Sequence, residues 1–176
     1  MEIFPQASAM IGSLDTNLIN IALENTPFQK EALDDLKLSK SDMPDYYGLL
    51  QIRAEAKEVL QTLSKKYKLG ILANQHMKVR EKLEQAWILQ YFEHTGVSGD
   101  FHLEKPNPDY FRNVFEITGA DPKTSVLIDD NVERGLVPAK SFGMTTVWYK
   151  FGERNGIPEN IVDYEVGNLR DLLKIF

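Results

Sequence analysis

The sequence predicts an α/β fold, a Rossmann-like parallel sheet with helices on both faces, preceded by a small helical N-terminal or cap segment. Three observations point there. Ser125-Val126-Leu127-Ile128-Asp129-Asp130 is a continuous apolar run that stops on two adjacent carboxylates, and strands covered on both faces read as uninterrupted runs rather than as alternation. Gly70-Ile71-Leu72-Ala73-Asn74-Gln75 repeats the pattern, apolar along its length and polar at its tip. Helix signals stand between and after these runs, as they do where parallel strands need crossover connections.

Taken in order, the elements divide the chain into 1–16, an expected degenerate first strand; 17–48, a small helical cap-like segment; and 49–176, the α/β core. Ala7–Leu14 is apolar enough for a short strand. Leu18–Leu23 suggests a helix that Pro27 interrupts, and Gln29–Leu38 a second one with Ala32, Leu33 and Leu36 on one face. Ser39–Pro44 is a connector, after which Leu49, Ile52, Ala56, Val59, Leu60 and Leu63 recur at helical spacing up to the strand at Leu69. Met77–Gln90 is expected to form an amphipathic helix that packs Val79, Leu83, Ala86, Trp87 and Leu89 into the core, with His94 near a helix end. Asn107 is an N-cap candidate, Pro108 suits the first helical position, and Gly119 stops the helix that buries Phe111, Val114 and Phe115. Pro138 implies a kink or a late start in the helix after the paired acids. Thr145–Tyr149 is a strand, Tyr164–Val166 an edge strand and Leu169–Ile175 a closing helix.

Composition narrows the function classes. A chain of 176 residues with a formal net charge of -6 and lysines scattered among acids is suited neither to nucleic acid nor to a membrane surface, both of which favour a basic patch. There is no cysteine, so disulfides, thiolate nucleophiles and thiolate metal sites are excluded. No apolar run reaches the length of a membrane span, and Met1–Pro5 lacks a basic, then apolar, leader. Cytoplasmic residence is the expectation.

The chemistry concentrates at Asp129 and Asp130. Adjacent carboxylates at a strand tip repel each other, and a hard cation such as Mg²⁺ relieves that repulsion. A local alternative also accounts for them: Asp129 ends the strand while Asp130 or Asn131 caps the next helix. Open α/β sheets bind ligands just beyond the carboxyl ends of their strands, where Asn74 and the Glu104-Lys105-Pro106-Asn107-Pro108 segment can also arrive.

In this order and spacing, the Gly70–Gln75 strand, the Lys105-Pro106 segment, the Asp129-Asp130 pair and the Ala139–Met144 helix end before Thr145–Tyr149 resemble the haloacid dehalogenase-like hydrolase superfamily, over roughly residues 56 to 176. The resemblance implies an aspartate nucleophile on the first strand and a Mg²⁺ ion bridging it, the substrate phosphate and an acid of the last motif. It also implies a lysine and a Ser or Thr of the second strand on the phosphoryl oxygens. By position Lys105 matches the lysine and Asp129 with Asp130 the acids, either of which could hold metal. Ala73 stands where the family has Ser or Thr, and Asn74 matches the residue that often follows. The first motif is approached by Ala9–Leu18, where Ser13 takes the nucleophile's place and Asp15 that of the acid that protonates the leaving group. A Ser-x-Asp turn capping a helix from Thr16 explains the same letters.

A serine hydroxyl has no evident base here, since His76 reads as a loop residue and His94 and His102 as packing or peripheral positions. The resemblance therefore implies a Mg²⁺-dependent, phosphatase-type hydrolase acting on a small phosphorylated metabolite, with catalytic residues Ser13, Asp15 and Lys105, substrate contacts from Asn74 and Lys105, and metal ligands Asp129 and Asp130. Two alternatives stand beside it. One is a catalytically silent binding protein or a truncated enzyme, whose sheet a second copy of the chain could complete. The other is a metal-free 2-haloacid dehalogenase, which the paired acids disfavour.

Overall fold

A computed structural model describes residues 52–74, 79–150 and 160–176; the expected first strand, the cap-like segment, Ser13, Asp15 and His76 lie outside them. Helix α1 (Ala56–Leu63) leads to strand β1 (Gly70–Ala73), helix α2 (Val79–Gln85), strand β2 (His94–Val97) and the short helix α3 (Ser98–Phe101). Helix α4 (Pro108–Thr118) follows, then strand β3 (Val126–Asp129), a π-helical turn (Val132–Leu136), helix α5 (Val137–Ser141), strands β4 (Thr145–Tyr149) and β5 (Tyr164–Val166), and helix α6 (Leu172–Ile175). All strand pairs are parallel: β1 with β2, and β3 with β4 with β5. Among the described residues no ladder joins β1 to β3.

Successive strand residues point to opposite faces, and each face has its own core. Ile71, Ala73, Ile128, Val147 and Tyr149 join α1, α2 and α6 in one apolar cluster. Leu72, Leu127 and Trp148 join Tyr110, Phe111 and Val114 of α4 and Ala139 of α5 in the other. Both strand groups thus share the same two helical layers, as the apolar runs predict. No described helix is long and apolar enough to cross a membrane.

The signals around α4 hold. Asn107 Oδ1 accepts from Asp109 N, Pro108 opens the helix, and Gly119 closes it at φ 65°, a left-handed conformation that costs glycine nothing. Pro138 lies in α5, which starts only after the π-helical turn, so the late helix start is borne out.

Other expectations need correction. Helix α2 ends at Gln85, and Trp87, expected in the core, is 73 % exposed with φ 55°. The chain leaves the helix in a left-handed turn there, which swings the indole outward. His94 opens strand β2 rather than ending a helix; the sequence signal for β2 is weak because Gly96 and His94 leave too little apolar character in four residues.

Candidate active site

The connection between α3 and α4 reaches the ends of both β1 and β3 through one residue. That connection carries Lys105, whose side chain is only 6 % exposed. Its ammonium donates to Leu72 O at 2.9 Å and to Asp129 Oδ2 at 2.5 Å. A buried ammonium is tolerated only with such partners. Its backbone is fixed as well: Lys105 N donates to Asn74 Oδ1 at 2.8 Å, and Asn74 Nδ2 donates to Lys105 O at 2.9 Å. The structure therefore brings Asn74, Lys105, Asp129 and Asp130 to one end of the sheet.

The two acids have different surroundings. Asp129 is buried at the end of β3, with Oδ1 accepting from Asn131 N at 2.8 Å and Oδ2 from Lys105. Both of its oxygens are committed. Among the described residues Asp130 Oδ1 is buried without a hydrogen-bond partner. Burial first, and then the neighbouring Asp129 charge, push its carboxyl up to about 6. A carboxylate that is desolvated, crowded by a like charge and short of a partner fits a hard cation, which would satisfy that oxygen and favour the ionised form. Among the described residues no group of three or more His, Cys, Asp or Glu could hold a metal by itself. Of the two residues expected as ligands, Asp130 has the available oxygen.

Supporting residues escaped the sequence reading. Trp148 on β4 donates Nε1–H to Asp130 O at 3.2 Å and holds the acid loop against the sheet. Tyr110 shares its hydroxyl between Gly96 O at 2.7 Å and Ala73 O at 3.2 Å, tying the tips of β1 and β2 together. Gly135 lies against Asp129: a Cβ there would sit 2.8 Å from Asp129 Cβ and closer still to its carboxylate. Nothing in the sequence marks this close approach or the indole and phenol bonds. His94 and His102 are exposed. A cavity of about 730 Å³ opens at the opposite ends of β1 and β3, lined by Leu69, Ile71, Phe115 and Val126, and takes in none of the site residues.

Comparison with known proteins agrees with this geometry. The family profile described as haloacid dehalogenase-like hydrolase matches residues 7–149. Glyceraldehyde 3-phosphate phosphatase of Pyrococcus abyssi is 29% identical over 113 residues, covering 62% of this chain and 48% of that protein. Phosphoserine phosphatase of Thermus thermophilus is 32% identical over 93 residues, covering 53% of this chain and 37% of that one. The crystal structure of a HAD phosphatase from Thermococcus onnurineus superposes with a TM-score of 0.68 at 26% identity, covering 92% of this chain and 78% of that chain. The chain spans about half or less of the length of these two curated relatives.

Proposed function

The chain belongs to the haloacid dehalogenase-like hydrolase family, and we propose that it is a phosphatase-type hydrolase whose site takes the phosphoryl group of a small phosphorylated metabolite. The observation that carries this reading is the buried Lys105 ammonium beside an acid pair of which one member, Asp130, has an oxygen with no partner among the described residues. A cation and an anionic group bound together answer the charge of that arrangement. The phosphatase names of the curated relatives support the same substrate class.

In this reading Lys105 attracts and orients the phosphoryl oxygens, and Asp129 holds Lys105 in place. Asp130 would hold Mg²⁺, which would supply charge neutralisation at the phosphoryl group. Asp15, at the position of the family's second acid, would protonate the leaving oxygen. Ser13 stands at the nucleophile's position, where a hydroxyl without a base is a far weaker nucleophile than a carboxylate. Turnover is therefore expected to be limited at that step, while binding of the phosphoryl group is retained.

Hydrolysis of para-nitrophenyl phosphate with Mg²⁺ tests the proposal. The wild-type rate should fall at least tenfold in Asp130→Asn and Lys105→Met, and Ser13→Asp should raise it. A rate indifferent to all three changes, or chloride release from 2-chloropropionate without metal, would contradict it.

A further inference from the structure

We infer that Asn74 is a positioning residue: its carboxamide sets the backbone of Lys105, and through it the place of the Lys105 ammonium, without touching the phosphoryl group. This rests on the reading of Lys105 as the phosphoryl-binding lysine. Lys105 sits in a connection between helices, flanked by exposed Glu104 and Pro106, a setting in which a long side chain would ordinarily wander. Two hydrogen bonds prevent it. Asn74 Oδ1 accepts from Lys105 N at 2.8 Å while Asn74 Nδ2 donates to Lys105 O at 2.9 Å. A carboxamide presents an acceptor and a donor at one branch point, and a carboxylate of the same shape lacks the donor.

The contact closes into a ring. The Asn74 side chain holds the Lys105 backbone, and the Lys105 side chain returns to Leu72 O, two residues before Asn74, at 2.9 Å. The strand tip bearing Asn74 is itself anchored, because Tyr110, fully buried in α4, holds Ala73 O. The lysine is thus referred to β1 at both its backbone and its ammonium, and the strand tip is referred to the core. With one donor and the oxygen of its carboxamide bonded to Lys105, Asn74 acts on a ligand through the lysine.

Titration of inorganic phosphate in the presence of Mg²⁺, followed by ³¹P NMR, tests this with the wild type, Asn74→Ala, Lys105→Met and the double variant. Asn74→Ala should weaken phosphate about tenfold in the wild-type background and less than about twofold in the Lys105→Met background, the non-additivity expected of residues acting in one chain. The Lys105 ¹³Cε resonance should move in Asn74→Ala while those of Lys66 and Lys140 stay, which a general loosening of the fold would not produce. Should Asn74→Ala fold poorly, Asn74→Asp, which keeps the acceptor and loses the donor, carries the same cycle. An equal loss of affinity in both backgrounds would mean direct contact and overturn the inference. Lost binding in Lys105→Met with none lost in Asn74→Ala overturns it alone. A Lys105→Met protein that binds phosphate like the wild type, or a wild type that binds none, overturns the reading of Lys105 and the inference together.

Discussion

Gly135 sits in the π-helical turn beside Asp129, and a side chain there meets the acid's Cβ and carboxylate rather than a flexible neighbour. Gly135→Ala must push Asp129 off Lys105 or distort the turn; overpacking of this kind costs roughly 1 to 3 kcal/mol, readable in urea unfolding. The ion pair itself is asymmetric. Asp129→Ala leaves the buried ammonium without its carboxylate, at a cost of about 3 to 5 kcal/mol. Lys105→Met leaves Asp129 with the Asn131 N–H bond and should cost less. Equal losses in chemical denaturation would contradict this division. That two acids stand together was legible in the apolar run ending at Asp129 and Asp130. Which of them has an available oxygen was not, because it depends on Lys105, 24 residues away in the chain.

At the scale of elements, α4 was readable because its signals are local: Asn107, Pro108 and Gly119 act within a turn of the helix they bound. Asn107→Ala should lower stability by about 1 kcal/mol, measured as a shift of the urea midpoint. Strand β2 was not readable, since its four residues gain their place from pairing with β1 and from α3 and α2 packed beside it. Arg80 of α2 ties these together, bonding Thr95 Oγ1 and Thr95 O at 2.6 Å and Asp100 through both carboxylate oxygens. The hydrogen bond from Arg80, more than its charge, holds the Asp100 carboxyl below its ordinary value against the opposing effect of burial. A depressed folded value means the stabilisation is complete above roughly pH 4 and is lost as pH falls through the folded value. Arg80→Met should therefore lower the Tm at pH 7, with the gap to wild type narrowing as the pH drops below about 4. A gap that widens on acidification would contradict the assignment.

Over the whole molecule, two apolar layers enclose a parallel sheet whose strand ends gather the charged groups at one side. This was legible because doubly covered strands must be continuously apolar, and Leu127–Ile128 and Val147–Trp148 divide between the two layers as that rule requires. Sequence alone left the front of the chain as a choice between a degenerate motif and a helix cap. The family profile extends to residue 7, so the resemblance reaches further forward than the later motifs suggest.

The central claim is that the acid pair and Lys105 form one pocket for a cation together with a phosphoryl group. The most direct test replaces Mg²⁺ by Mn²⁺ and measures the paramagnetic relaxation of the ³¹P signal of inorganic phosphate. Strong enhancement in the wild type, abolished separately by Asp130→Asn and by Lys105→Met, is the predicted result. Phosphate that binds without feeling the metal, or enhancement that survives both substitutions, would contradict the account.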